Sequence, residues 1–99
     1  MADRPRVERF TWDDWNLEHI AKHAVLPEEA EEVVIGDATV EESYKQRFKF
    51  VGPTSQGRMI TVIVGAVPAR TGVFYVFSAR PASRKERQAY TIAKGDRIP

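Results

Sequence analysis

Apolar residues recur at helical spacing after residue 10, which predicts a first helix from Trp12 to His23. Thr11 is the expected N-cap of this helix, and Asp14, three residues further on, completes a capping box. Phe10 and Trp15 are expected to pack against each other across the helix start as a hydrophobic staple. Both tryptophans of this segment are therefore predicted to lie in the core.

A second helix is predicted after the break at Pro27, because proline suits the first position of a helix, and Gly36 is its expected end. The chain then changes to strand-like patterns of alternating or continuous apolar residues. The predicted strands are residues 39–43, 47–51, 59–67 and 73–80. Turns rich in proline and glycine separate the later strands, so the strands are expected to form an antiparallel meander.

A third helix, from Arg84 to Lys94, is predicted because Ser83 and Glu86 have the spacing of a full capping box. The order of elements gives an α+β fold, with two N-terminal helices, a small antiparallel sheet of three to four strands and a C-terminal helix. Residues 1–99 are expected to be a single domain. Within it, residues 1–9 are read as a loose arm or edge strand and residues 95–99 as a frayed tail.

Composition removes several classes of protein. The chain has no cysteine, which excludes disulfides, thiolate nucleophiles and cysteine-ligated metals. No apolar run is long enough to span a bilayer and no secretory signal begins the sequence, so a cytoplasmic location is expected. Residues 1–50 carry seven Lys/Arg and twelve Asp/Glu, a net charge of −5, whereas residues 51–99 carry eight and two, a net charge of +6. This asymmetry indicates a polyanionic or charged partner, or else two solvated helix faces of opposite sign.

The only two histidines, His19 and His23, are spaced to lie on one face of the first helix and could together hold a metal ion. No third ligand is evident in the sequence, so packed or surface histidines are the simpler expectation. His23 is the more interesting of the two, because the end of a helix favours a protonated imidazole. No metal or cofactor is predicted.

A basic segment begins where a buried strand ends at Arg80 and continues into the third helix. A guanidinium beside a helix N-terminus is a suitable cradle for a phosphate group. Arg84 and Arg87 lie one turn apart on the helix, and Tyr90 extends their row. The alternative is that Arg80 pairs with an acid of the first two helices, while Glu86 merely caps the third.

Three groups of residues carry a resemblance to a known family. The opening group is Phe10-Thr-Trp12-Asp13 with Lys22-His23, the middle one is Gly52 with Gly57-Arg58, and the closing one is Ser78-Ala-Arg80 with Glu86-Arg87-x-x-Tyr90. Together they resemble the BrnT toxins over about residues 10–90.

The resemblance implies a toxin of a bacterial type II toxin–antitoxin pair, with a fold of the RelE/ParE group. It implies a ribonuclease that blocks translation, with RNA as its substrate and no membrane partner. The implied protein partner is a BrnA-like antitoxin with a ribbon-helix-helix part, through which the complex binds its own operator DNA. The assemblies it implies are a homodimer or a heterotetramer with the antitoxin.

By position, the resemblance places five residues in a catalytic site: Lys22, His23, Arg80, Arg87 and Tyr90. Our hypothesis is that the two arginines bind phosphate without a metal ion. His23 is the preferred acid or base, because histidine exchanges protons near neutral pH, and Lys22 and Tyr90 are secondary candidates. Four further cations are expected to guide the RNA backbone: Arg47, Arg58, Arg84 and Lys85.

The sequence departs from the family pattern at Tyr75, where members often carry a strand arginine, and at Leu26, where a Ser or Thr cap is common. The loss of that arginine leaves open a second interpretation, a catalytically inactive interaction module that binds an antitoxin or nucleic acid. A third interpretation is a metal-dependent nuclease or hydrolase that uses His19 and His23.

Overall fold

The computed structural model describes residues 3–95, which form three α-helices and five β-strands. In chain order these are β1 (Arg9–Thr11), α1 (Asp14–Ala21), α2 (Pro27–Ile35), β2 (Thr39–Glu42), β3 (Arg47–Pro53), β4 (Met59–Ala66), β5 (Val73–Pro81) and α3 (Arg84–Gly95). None of the helices in this part of the chain is long and apolar enough to cross a membrane.

The five strands form one sheet in the order β1-β5-β4-β3-β2. The predicted meander from β2 to β5 is confirmed, because each of these strands pairs antiparallel with the next. The prediction of three or four antiparallel strands is wrong in detail. β1 adds a fifth strand that runs parallel to β5, with Phe10 opposite Phe74. The fold is therefore α+β with a mixed sheet, and a strand precedes the two N-terminal helices.

Helix α1 begins two residues later than the sequence predicted. Its N-cap is Asp13, whose carboxylate accepts the Asn16 N–H at 3.0 Å, while the Asn16 side-chain oxygen accepts the Asp13 N–H at 2.8 Å. Thr11 cannot cap the helix because it belongs to β1, where its carbonyl accepts a hydrogen bond from Asn16. The helix ends at Ala21, and Ala24 then takes a left-handed conformation with φ of 58°.

The two tryptophans have different environments. Trp12 packs against the core, and its indole N–H donates to Glu31 at 2.7 Å. Trp15 is 57% exposed and stacks on His19, so the predicted staple with Phe10 and the predicted burial of Trp15 are both wrong. Phe10 packs against the core from β1 instead.

The core lies between one face of the sheet and the two N-terminal helices. Ile20 from α1 and Val33 from α2 are buried against alternate residues of the strands, such as Phe50, Val62 and Val76. Helix α2 has the predicted bounds, with Gly36 as its C-cap. Helix α3 ends at Gly95, and the rest of the predicted tail, like residues 1 and 2, lies outside the described residues.

Candidate functional site

The second face of the sheet lies opposite the core, because successive side chains of a strand alternate between faces. Lys49, Thr61 and Arg80 share this face, and α3 lies over them, with Glu86 contacting all three. The other half of the face is an open groove of about 820 Å³. The outer face is thus divided into a part covered by α3 and an open part.

Aromatic rings dominate the walls of this groove. They are Trp15 from α1, Tyr44 from the turn between β2 and β3, and Tyr75 and Phe77 from β5. Two basic residues, His19 and Arg47, also line it. We call these six residues the aromatic groove. Aromatic surface interspersed with cations is the composition of sites that bind single-stranded nucleic acids.

Arg47 occupies the centre of one wall. Its guanidinium carbon lies 3.6 Å from the centroid of the Phe77 ring and 5.5 Å from that of Tyr44. The stack depends on Gly65 beneath it, because a β-carbon there would lie 2.9 Å from the Phe77 ring and 3.5 Å from the Arg47 side chain. Arg47 forms no ion pair within residues 3–95. The aromatic groove therefore contains a half-buried cation whose charge no carboxylate of residues 3–95 neutralises.

On the opposite side, α1 presents a ladder of three rings. Trp15 stacks on His19, with centroids 4.9 Å apart and an angle of 9° between the planes. His19 in turn meets the edge of His23 at 5.8 Å. His19 lines the groove, whereas His23 is exposed beyond the end of the helix. No group of three metal-ligating side chains occurs among the residues that the structure describes.

Tyr75 joins the aromatic groove to the start of α1. Its hydroxyl donates to the Asp13 carboxylate at 2.9 Å, and burial together with this carboxylate raises the pKa of Tyr75 above its usual range. Hydrogen bonding by the Asn16 N–H lowers the pKa of Asp13. Tyr75 therefore stays protonated near neutral pH, as a hydrogen-bond donor that holds β5 to α1.

Glu86 is the centre of the polar cluster beneath α3. Its two oxygens accept from the Arg80 guanidinium at 2.8 and 2.9 Å, and the Thr61 hydroxyl donates at 2.9 Å. The Lys49 ammonium lies 3.4 Å away. The hydrogen bonds from Arg80 hold the pKa of Glu86 far below its usual range, so the carboxylate is charged. Arg80 thus pairs with an acid, as in the structural alternative, but the acid belongs to the third helix rather than to the first two.

The other predicted site residues are dispersed. Arg58 pairs with Glu29 of α2 at 2.9 Å, and Arg87 donates to the carbonyl of Ala82 at 2.9 Å. Tyr90 donates to the carbonyl of Asp37 at 2.9 Å. Three further predicted residues, Lys22, Arg84 and Lys85, are exposed. The ring contact of His23 is with His19, so this contact links it to the aromatic groove and not to the basic helix.

Tyr44 and Phe77 are site residues that the sequence pattern did not predict. Phe77 belongs to a strand that is apolar on both faces, a pattern that favoured a fully buried strand and hid its position on the open face. Tyr44 lies in a turn, where no periodicity predicts the direction of a side chain. The one signal in the sequence was the pair of large aromatics Tyr75 and Phe77, which are two residues apart in a predicted strand and so share one of its faces.

The described residues form an α+β fold in which a mixed five-stranded sheet carries two helices on one face and a third helix on the other. This fold is similar to that in the crystal structure of the Brucella abortus ribonuclease toxin BrnT, with a TM-score of 0.61 and 25% sequence identity. The similarity covers 77% of this chain and 97% of that chain. No protein-family model matches the sequence, and no curated protein matches it. The chain therefore has a BrnT-like fold, while its grouping with RelE and ParE stays a prediction.

Proposed function

We propose that this chain is a toxin ribonuclease that binds RNA in the aromatic groove and cleaves it without a metal ion. The observation that carries the proposal is the structural likeness to a ribonuclease toxin over 97% of that toxin's length. Arg47, which has no carboxylate partner among residues 3–95, supports it, because an arginine held on an aromatic face suits the binding of phosphate.

Metal-free cleavage of RNA needs a base that deprotonates the 2′-hydroxyl group and a cation that stabilises the phosphorane. It also needs an acid that protonates the leaving 5′-oxygen. In the proposed site Arg47 binds the phosphate. His19 is the base that takes the proton from the 2′-hydroxyl, because it lines the same groove, and His23, whose ring centroid lies 5.8 Å from that of His19, is the acid that protonates the leaving 5′-oxygen.

The residues assigned by the family resemblance form a second part of this proposal. Arg80 is bound to Glu86, so a phosphate reaches Arg80 only by replacing that carboxylate. Arg87 and Tyr90 are engaged with backbone carbonyls, and Lys22 is exposed. We therefore place the reacting phosphate at Arg47 and assign Lys22, Arg80, Arg87 and Tyr90 to binding of the flanking RNA.

The proposed partner is an antitoxin of the BrnA type, with a ribbon-helix-helix part that binds operator DNA. A homodimer or a heterotetramer with the antitoxin, in the cytoplasm, is the proposed assembly. These assignments rest on the sequence resemblance together with the likeness to a solved toxin.

The test compares the wild type with Arg47→Gln on bulk RNA in excess EDTA, with and without translating ribosomes. Removal of one cation at a developing phosphorane is expected to slow cleavage by about 10²–10³-fold. Arg9→Gln is the matched control, because Arg9 is an exposed arginine on β1 that does not line the groove, and it is expected to cleave normally.

If Arg47→Gln cleaved RNA as fast as the wild type, the reacting phosphate would not be bound by Arg47. Loss of cleavage in EDTA that a divalent cation restores would favour the metal-dependent interpretation. Absence of cleavage by the folded wild type in every condition would favour the interaction module, for which the occupation of Arg80 by Glu86 is the specific observation.

A further inference from the structure

The turn between β2 and β3 has an unusual backbone. Lys45 and Gln46 have φ values of 58° and 62°, a left-handed conformation that residues other than glycine and asparagine rarely adopt. The turn is closed by the Ser43 N–H, which donates to the Arg47 carbonyl at 2.7 Å. Positive φ at both central residues is the pattern of a type I′ turn, a common turn of β-hairpins, and here the Arg47 N–H donates to the Tyr44 carbonyl.

This turn presents the ring of Tyr44 to solvent at the rim of the aromatic groove. Tyr44 is 68% exposed, although it is a large aromatic residue. Its ring centroid lies 5.5 Å from the Arg47 guanidinium carbon and 5.7 Å from the Lys45 ammonium. The turn therefore presents an exposed aromatic ring with two cations close to it.

We propose that Tyr44 is a stacking platform for one unpaired nucleobase of single-stranded RNA, whose adjacent phosphate is bound by Arg47. The inference rests on the proposed function and adds the class of RNA and the residue that selects it. A base in a duplex is already stacked on both faces, so only an unpaired base can use this ring.

The charge of the groove favours this occupant. A nucleotide combines an aromatic base with an anionic phosphate, and the turn offers an aromatic ring next to a cation that has no carboxylate partner among residues 3–95. The groove volume of about 820 Å³ lies within the range of sites that hold small ligands, and a nucleotide is of that size.

The experiment measures binding of 2′-O-methyl oligonucleotides, which lack the attacking hydroxyl and are not cleaved. A labelled adenosine heptamer is compared with a heptamer that has the same phosphates but no bases. Stacking on one aromatic residue is expected to make the wild type bind the adenosine heptamer about 5- to 150-fold more tightly. Tyr44→Leu is expected to remove this preference, and Tyr44→Phe is expected to retain it.

Arg47→Gln distinguishes phosphate binding from base stacking, because it is expected to weaken the binding of both heptamers to a similar extent. A wild-type preference for the adenosine heptamer that Tyr44→Leu leaves unchanged would overturn the stacking platform and leave the proposed function standing. Failure of the wild type to bind either heptamer would overturn both. Binding of an acidic peptide in place of the oligonucleotides would also overturn both, and would identify the groove as a protein-docking site.

Discussion

Ala24 shows how a single backbone angle shapes the first helix. It has φ of 58°, and its carbonyl accepts a hydrogen bond from Arg58 at 2.7 Å. A residue in this conformation just beyond a helix is usually glycine, because glycine has no β-carbon to collide with the neighbouring carbonyl. The alanine therefore retains a local strain that lies outside the aromatic groove.

Replacement of Ala24 by glycine is expected to stabilise the protein by about 1 kcal/mol, because the strain of the left-handed conformation is removed. Gly57→Ala is the matched reverse change: Gly57 has φ of 83°, and an added β-carbon would meet no atom within 4 Å. It is expected to destabilise by about the same amount. Urea unfolding measures both, and a less stable Ala24→Gly variant would contradict the assigned conformation.

At the scale of single residues, the sequence predicted Arg47 as an RNA-binding residue but not the side chains that position it. The positions of Tyr44 and Phe77 depend on a turn and on the exposed face of an apolar strand. Lys45 and Gln46 gave no signal for a left-handed turn, because that signal is normally asparagine or glycine. Whether His23 lies near the basic helix could not be predicted from the sequence, because it depends on tertiary contacts that no local pattern encodes.

At the scale of elements, α3 differs from the other two helices because none of its residues is buried. It is held to the sheet mainly by polar contacts: Glu86 binds Arg80 beneath the helix, and Lys94 pairs with Asp37 at 2.8 Å near its end. The exposed Ile92 shows how little of the helix contributes to the core. The attachment of α3 is therefore more electrostatic than hydrophobic.

The pH dependence of stability should reveal this attachment. The pKa of Glu86 is lowered in the folded protein, so its contribution is present above the unfolded value of about 4.5 and is lost as the pH falls below it. Glu86→Gln is expected to destabilise by about 2 kcal/mol at pH 7, because charge-assisted hydrogen bonds to Arg80 are lost. The difference from wild type is expected to shrink by pH 3.

Urea unfolding at pH 7 and pH 3 measures this effect, with Glu42→Gln as the control because Glu42 is exposed on β2. A gap between wild type and Glu86→Gln that is the same at both pH values would show that the charge of Glu86 does not hold the helix.

The elements that the sequence predicted correctly are those whose signals lie within a few neighbouring residues. The capping box of Ser83 and Glu86 forms as predicted, and Pro27 begins α2 as predicted. Strand β1 was not resolved from the neighbouring arm, because three residues are too few to show alternation and its pairing with β5 is distant in sequence. The start of α1 was misplaced because Thr11 and Asp13 both suit an N-cap, and only the pairing of β1 distinguishes them.

At the scale of the whole molecule, the positive charge of residues 51–99 lies partly on the exposed surface of α3. Arg84 and Lys85 are exposed at the start of this helix, and the sequence analysis assigned them to the RNA backbone. If they contact phosphates, they contribute equally to every oligonucleotide, whatever its bases.

The double change Arg84→Gln and Lys85→Gln is expected to lower the salt dependence of binding, reducing the slope of log affinity against log salt by about 1.4 in magnitude for two lost contacts to a single strand. The ratio of affinities for the adenosine and abasic heptamers should not change. Titrations at several salt concentrations test this, with Arg9→Gln as the control. An unchanged slope would show that RNA does not extend along α3.

The parallel pairing of β1 with β5 has a consequence for how the chain is made. Arg9 pairs with Val73, so the first strand cannot pair with β5 until the chain has been synthesised as far as β5. At about 5–20 residues per second, translation leaves β1 unpaired for roughly 3 to 13 s. The wall of the groove built from β5 and the start of α1 is completed in the same late step, since Tyr75 of β5 binds Asp13 just after β1. The molecule therefore acquires this wall of its candidate site only after β5 has been synthesised.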